Sequence, residues 1–232
     1  YLEDDEWNPA QRIENGWLPA RREGVLATVA LLMDDDVWQQ LVHLQLSSPD
    51  EAEFHHAQRA ADMLGIETWS VHWRRLQDMP SEPGRWHFVM RQANAANIDA
   101  ILTFAERVLP LEKIASGPSE ALGLGPEYRW HSCLDFVLQD LDRFPGKGKK
   151  LLLAGLASPS VRNRNMALKA LSAWQPDLID QEMLQALDTA LQREPDDRVK
   201  ENIKQVLRTF QPRRHRFLKI VARFLHQFGN DA

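Results

Sequence analysis

Two pairs of residues in this chain have spacings that could bind a metal ion from one helix. Glu53 and His56 form a Glu-x-x-His sequence, which places both side chains on one helical face. Glu51 and His55 are four positions apart on the same predicted helix. A carboxylate-bridged di-iron bundle needs Glu-x-x-His on two separate helices, and this chain contains the sequence once. We therefore predict that the chain binds no metal.

The glycine-rich sequences and the single cysteine do not match known cofactor sites. Gly123 and Gly125 lack the third glycine and the preceding strand of a dinucleotide-binding motif. Residues 146–150, GKGKK, lack the spacing and the hydroxyl residue of a phosphate-binding loop. Cys133 lies in an amphipathic helical sequence, where a small buried side chain is expected rather than a haem ligand. The sequence predicts neither a cofactor nor a catalytic residue.

The residues best suited to binding a partner are basic and lie toward the C-terminus. Residues 196–232 contain nine Lys and Arg and four Asp and Glu, a net charge of +5, whereas residues 1–66 have a net charge of −9. Such a basic segment suits an acidic protein or nucleic acid, although a pI of about 5.9 argues against a dedicated nucleic-acid-binding protein. The candidate binding residues are Arg162, Arg164, Lys200, Lys204, Arg208, Arg213, Arg214, Arg216, Trp130 and Trp174.

Two explanations compete for the basic candidates. They can be structural, each held by a nearby carboxylate such as Asp196 or Asp197, so that removing the charge lowers stability. They can instead face solvent and bind an anionic partner, so that removing the charge weakens binding alone. We expect the structural outcome for Arg162 and the binding outcome for Lys204.

The elements that position these residues are predicted to be helices throughout, because alternating strand patterns and hairpin turn sequences are absent. Residues 34–36 and 48–51 are predicted to begin two helices, and Gly65 is predicted to end the second. Later helices are predicted at 69–79, 85–92, 98–109, 127–144, 150–156, 159–174, 184–191 and 196–210, with a basic amphipathic helix from Arg213 to Phe228.

The domain organisation is predicted from one irregular segment. Residues 115–126, ASGPSEALGLGP, are rich in Gly, Pro and Ser and lie near the middle of the chain. We expect them to connect an N-terminal helical subdomain, 1–114, to a second helical subdomain, 127–232.

The second subdomain contains an internal repeat. Val161 and Val199 are 38 residues apart, and Arg162 and Lys200 keep the same offset. In both copies a Leu-rich helix leads through a short turn containing Pro into a second helix. Pairs of helices that repeat near 40 residues are typical of helical solenoids.

Residues 156–174, LASPSVRNRNMALKALSAW, resemble the second half of a HEAT repeat. In that family a turn with Pro or Asp precedes Val-Arg, and Ala and Leu then pack the inner helix. The matching residues are Pro159, Val161, Arg162, Ala167, Leu168, Ala170 and Leu171, and in the second copy Pro195, Val199, Ile203, Val206 and Leu207. The resemblance implies an all-α, right-handed superhelix of helical hairpins, with about twelve helices and with Arg162 and Lys200 side by side.

The resemblance implies three functions, in order of preference. The first is a non-catalytic HEAT-repeat scaffold that binds a protein partner. The second is DNA binding, because HEAT-like alkylpurine DNA glycosylases are similar in length, grip the DNA backbone with basic residues and use Trp and Asp near the lesion. Trp130, Asp135 and Trp174 are of those residue types. The third is an oxidoreductase, because the chain is also similar to bacterial HEAT-type proteins labelled limonene hydroxylase.

Composition favours a cytoplasmic globular protein. Hydrophobic residues make up 44% of the chain and charged residues 26%. No apolar run is long enough for a transmembrane helix. The single cysteine excludes an intramolecular disulfide and favours a reducing compartment.

Overall fold

The computed structural model describes residues 35–210, together with residues 23, 24, 27, 28 and 31, which are helical. Residues 35–210 contain eleven α-helices and no strand other than one isolated bridge between Ala121 and Ser160. The predicted all-α class is therefore confirmed. The predicted helix from Arg213 to Phe228 lies outside the described residues, as do the candidates Arg213, Arg214 and Arg216.

The chain divides into two compact units after Val71. The first unit contains α1 (Asp36–Gln45), α2 (Glu51–Leu64) and the start of α3 (Trp69–Asp78). Helices α1 and α2 pack against each other, and the buried side chains of their core are Val42, Leu46, Phe54, Ala57 and Ala61.

The predicted ends of α1 and α2 are confirmed. The Asp35 carboxylate accepts hydrogen bonds from the backbone N–H groups of Val37 and Trp38 at the start of α1, and the Asp50 carboxylate accepts one from Glu53 N at the start of α2. Gly65 ends α2 with a φ of +68°, a backbone conformation that favours glycine.

The second unit holds the remaining helices. They are α4 (Pro83–Arg91), α5 (Ile98–Val108), α6 (Leu111–Ile114), α7 (Arg129–Leu138), α8 (Lys149–Leu156), α9 (Val161–Ser172), α10 (Gln181–Arg193) and α11 (Asp197–Phe210). Helix α9 packs against α7, α8 and α11, while α10 packs against α8 and α11. The α7–α11 helices thus form two adjacent rows, α7, α9 and α11 in one, and α8 and α10 in the other.

The helix predicted at 127–144 is wrong in its length. Helix α7 ends at Leu138, and a separate 3₁₀ turn follows at Leu141–Arg143. That turn buries Leu141 and directs the Arg143 guanidinium to two backbone carbonyls, Met90 O at 3.2 Å and Ala93 O at 2.6 Å. A continuous helix through residues 139–144 would lose the two hydrogen bonds of Arg143. The apolar periodicity of the sequence does not reveal these hydrogen bonds.

The Gly- and Pro-rich segment 115–126 is not where the two compact units meet, because it lies within the second unit. It has no regular helix before Pro126, as predicted, but it is tied to the residues around the start of α9. Three hydrogen bonds make this connection: Gly117 N to Ala157 O at 2.9 Å, Ser119 Oγ to Pro159 O at 3.1 Å, and Val161 N to Ala121 O at 3.0 Å.

The described helices include none that is both long and apolar enough to cross a bilayer.

Candidate functional site

Arg164, one of the predicted binding residues, lies in the interior. Its guanidinium forms two hydrogen bonds with the Glu194 carboxylate, Nε to Oε2 at 2.7 Å and Nη2 to Oε1 at 2.8 Å. The two side chains are 1% and 0% exposed. Arg164 is therefore not available to an outside partner. Its prediction as a binding residue is wrong, and its role is structural.

The remaining donors of Arg164 bind backbone carbonyls. Nη1 donates to Ser158 O at 2.8 Å and to Pro159 O at 2.9 Å, and Nη2 donates to Ser119 O at 2.8 Å. Through these bonds one side chain joins three segments: the 115–126 segment, the turn before α9 and the turn before α11. Because buried carbonyls need partners, this network fixes the relative positions of the three segments.

The two candidate tryptophans also belong to the core. Trp174 is 6% exposed, and Trp130 is half-buried against the same hydrophobic cluster. Because Trp174 is buried, no partner could stack on it, and its prediction as a binding residue is wrong.

Cys133 is fully buried, and burial raises the pKa of its thiol to about 12, which agrees with the role of a small core residue.

Arg162 is held by a carboxylate, but not by either of the expected ones. Its Nε lies 2.5 Å from Asp135 Oδ2; the Arg162 side chain is 58% exposed and that of Asp135 is 3% exposed. Asp196 instead caps α11, accepting hydrogen bonds from the backbone N–H groups of Arg198 and Val199. The pair with Asp135 positions the Arg162 guanidinium at the surface of α9.

Asp135 is the described carboxyl whose environment is most unusual. Burial raises its pKa to about 6, although the Arg162 charge and the Asn163 side chain act in the opposite direction. His131 lies one helical turn earlier on α7, and burial lowers the pKa of its imidazole. Burial therefore favours the protonated form of this carboxyl, which lies next to the Arg162 guanidinium.

The remaining described basic candidates form one exposed row on α11. Lys200 lies 3.3 Å from Asp197, and Lys204 and Arg208 lie 3.4 Å and 3.3 Å from Glu201. These are surface ion pairs within a single helix, which contribute little to stability. Lys204 is exposed, as expected, but it is paired with Glu201 rather than free of a carboxylate.

A groove of about 600 Å³ lies between α9 and α11, and we call it the α9–α11 groove. Its walls are Asn165, Leu168, Lys169, Ser172, Arg198, Asn202, Gln205, Val206 and Thr209. On α11 the contributing polar residues lie at 198, 202, 205 and 209, a spacing that places them on one helical face. Lys200, Lys204 and Arg208 lie outside this lining.

Seven of the nine residues that line the α9–α11 groove are polar or charged, although apolar atoms supply most of its surface, and both charged residues are cations. Asn202 Nδ2 donates a hydrogen bond to Asn165 Oδ1 at 3.1 Å across the groove. Lys169 Nζ contacts Gln139 O at 2.7 Å and Asp142 at 2.9 Å. The Arg198 guanidinium forms no hydrogen bond or ion pair with the described residues. The pKa of Asp196 is lowered mainly by the hydrogen bond from Val199 N, and the charges of Arg164 and Arg198 add to this effect. None of the lining residues is a carboxylate.

Arg198 and Asn202 are not among the residues predicted from the sequence, although the sequence contains a signal for Asn202. Asn165 and Asn202 are 37 residues apart, close to the repeat length, and each lies on the α9 or α11 face that forms the groove. Asparagine and glutamine are not basic, so the charge pattern does not mark them. Their location in the groove depends on how α9 packs on α11.

The metal-ligand pairs of the first unit do not come together as a site. Glu53 Oε2 accepts a hydrogen bond from Ser48 Oγ at 2.6 Å, next to the cap of α2. In the part of the chain that the structure describes, no group of three or more His, Cys, Asp or Glu side chains is arranged to hold a metal ion.

Comparison of the chain with protein-family models, with curated proteins and with solved structures found no match.

Proposed function

We propose that this chain is a non-catalytic helical-repeat scaffold that binds an extended acidic segment of a protein partner in the α9–α11 groove. The observation that carries the proposal is the composition of this groove: three carboxamides, two hydroxyls and two cations, with no carboxylate. The two-row packing of α7–α11 and the sequence resemblance support a HEAT-like superhelix as the framework.

The carboxamides favour a polypeptide over other ligands. The side chains of Asn165, Asn202 and Gln205 each carry a donor and an acceptor, as a peptide bond does, so they can pair with backbone in any sequence. From Arg198 to Thr209 the groove follows α11 for about 16 Å, at ~1.5 Å per residue. An extended chain rises ~3.3 Å per residue, so this length suits about five residues.

The charges specify an acidic segment. Arg198 faces the groove without a partner among the described residues, whereas the Lys169 charge is paired with Asp142. Arg162 lies one turn before Asn165 on α9, and its exposed guanidinium is paired with Asp135. A carboxylate bound at Arg198 would meet donors without displacing an existing hydrogen bond of that side chain. Electrostatic complementarity of this kind speeds association and rejects basic segments.

The proposal is tested by fluorescence anisotropy with a short labelled peptide of alternating Glu and Ser, and with its Lys and Ser counterpart. We expect the acidic peptide alone to bind, and Arg198→Gln or Asn202→Ala to weaken binding by about tenfold, the effect of one lost charged or strong hydrogen bond. Lys204→Gln is the matched control, because it removes a cation from α11 outside the groove. Equal binding of both peptides, or equal loss in the Lys204 variant, would contradict the proposal.

Duplex DNA is a second candidate ligand, favoured by the exposed Arg and Lys on α11 and by Asp135 beside Arg162. The same anisotropy assay with labelled duplex DNA tests it. A DNA-binding protein would lose affinity with salt at roughly 0.9 log units per phosphate contact, and Lys204→Gln would reduce that slope. No residue of the groove lining is aromatic, so stacking on single-stranded bases has no support there. Nothing among the described side chains favours the third expectation, an oxidoreductase.

A further inference from the structure

We propose that a second site, separate from the α9–α11 groove, binds a medium-length straight-chain carboxylate. It is a pocket of about 220 Å³ on the α8 and α10 side of the second unit. Its lining residues are Pro118, Leu153, Leu156, Ala157, Ala186, Thr189, Ala190 and Arg193. The pocket thus combines apolar walls with one charged residue.

Small side chains create the space. Ala186 and Ala190 lie four residues apart on α10, so they face the pocket together, and Ala157 follows the end of α8. Leu153 and Leu156 supply the opposite apolar wall. A larger residue at either α10 alanine would occupy the volume, so the pocket depends on these small residues.

Arg193 gives the pocket its preference for an anion. It is exposed at the end of α10, and within the described residues its guanidinium has no hydrogen-bond or ion-pair partner. The only other polar side chain of the lining, Thr189, already donates its hydroxyl hydrogen to Gln185 O at 2.8 Å. A ligand carboxylate would therefore be held by Arg193, which can bind both oxygens at once.

The 115–126 segment allows Arg193 to reach this position. Gly117 has a φ of +107°, and a side chain there would begin 3.1 Å from Arg193 Nη2. Gly117 N also donates to Ala157 O at 2.9 Å, which holds Pro118 beside the pocket. The guanidinium thus lies over a glycine, next to the apolar lining.

The size of the pocket sets the class of ligand. A volume of 220 Å³ corresponds to about seven water molecules at ~30 Å³ each, which suits a short alkyl chain rather than a long lipid. The chain would lie against the Ala and Leu walls, and the carboxylate would remain at the exposed Arg193. Hexanoate and octanoate fit this description.

The first test measures binding to the 232-residue chain by ligand-observed NMR, with a series from butanoate to decanoate and with octan-1-ol as the neutral control. We expect affinity to rise about fourfold per added methylene and to stop rising once the pocket is full. Octanoate should bind at least tenfold more tightly than octan-1-ol. In Arg193→Gln this difference should disappear, whereas Arg193→Lys should retain part of it. Equal binding of acid and alcohol by the unaltered protein would overturn the proposal.

The second test fills the pocket. Ala186→Phe should abolish octanoate binding, while Arg208→Gln, which removes a cation elsewhere, should leave it unchanged. Unaltered octanoate binding by Ala186→Phe would show that the ligand lies elsewhere and would overturn the proposal. If Ala186→Phe does not fold, as judged by circular dichroism, Arg193→Gln decides the matter, because that side chain is exposed and without a described partner.

Discussion

Arg164 and Glu194 are 30 residues apart in the chain, yet they form a pair with two hydrogen bonds in which neither side chain reaches solvent. The pair links the start of α9 to the turn before α11, the two helices that form the α9–α11 groove. Its geometry therefore sets the position of the proposed binding surface without contributing an atom to it.

Removing one member of this pair should strongly destabilise the protein. Glu194→Ala leaves the Arg164 charge buried without its carboxylate, and we expect a loss of about 3–5 kcal/mol in the free energy of unfolding. Urea denaturation measures the loss. Lys204→Ala, which breaks an exposed pair, is the control and should cost less than about 1 kcal/mol. Similar losses in the two variants would contradict the structural role of Arg164.

Replacing both members with apolar residues should not restore stability. An isolated buried ion pair can often be replaced in this way. Here Arg164 also binds the carbonyls of Ser119, Ser158 and Pro159, which Arg164→Met/Glu194→Leu would leave without those hydrogen bonds. Pro159 O would keep its hydrogen bond from Ser119 Oγ, but Ser158 O and Ser119 O would lose the partner that the structure gives them. A buried carbonyl left unsatisfied, as at the buried Ser158, costs about 1–3 kcal/mol. A double variant as stable as the original chain would show that the carbonyl contacts are unimportant.

The Asp135 carboxyl should titrate near pH 6, well above a typical aspartate. Its ¹³C carboxyl shift, followed by NMR against pH, measures the pKa directly. Because the Arg162 charge lowers this pKa, Arg162→Gln should move the midpoint further upward. A midpoint near 4 in the unaltered protein would contradict the conclusion that burial outweighs the Arg162 charge.

The raised pKa of Asp135 also predicts how the free energy of unfolding changes with pH. The folded state binds this proton more tightly than the unfolded state, so Asp135 should lower the free energy of unfolding as pH rises from about 4 through about 6. In Asp135→Asn that part of the decline should be missing when urea denaturation is compared across this range. Identical pH profiles for the two proteins would contradict it.

Close packing at Gly155 gives a further prediction. A Cβ at this position of α8 would lie 2.6 Å from Leu138 Cδ1 and 3.1 Å from Ala167 Cβ, both buried. Gly155→Ala should therefore destabilise the protein by about 1–3 kcal/mol, despite the better helix propensity of alanine. Gly84→Ala is the matched control, because nothing lies within 4 Å of its Cβ. Thermal unfolding should show a lower Tm for the Gly155 variant alone.

Features that depend on neighbouring residues in the chain could be predicted from the sequence. Asp35, Asp50 and Gly65 begin and end helices through contacts within a few residues, and apolar periodicity was enough for the all-α class. The burial of Arg164 could not be predicted in this way, because its partner Glu194 becomes adjacent only when α9 packs beside α11. The residue type and its position in a repeat do not show whether a charged side chain pairs with a buried partner or faces solvent.

The candidate site shows the same division. The basic residues of α11 could be predicted from the sequence. Which residues line the α9–α11 groove depends instead on the face of α11 that packs against α9. Lys204 lies on a different α11 face from Arg198 and Asn202, and the basic pattern alone could not separate the two faces.

The most direct test of the α9–α11 groove follows side-chain amide signals by ¹H–¹⁵N NMR while the Glu and Ser peptide is added. We predict saturable shifts for the side-chain amides of Asn165, Asn202 and Gln205, which line the groove. The amide of Asn163, which is buried and donates to His131 O at 2.9 Å, should not shift and serves as an internal control. Saturable shifts confined to other residues, with these three amides unchanged, would contradict the account.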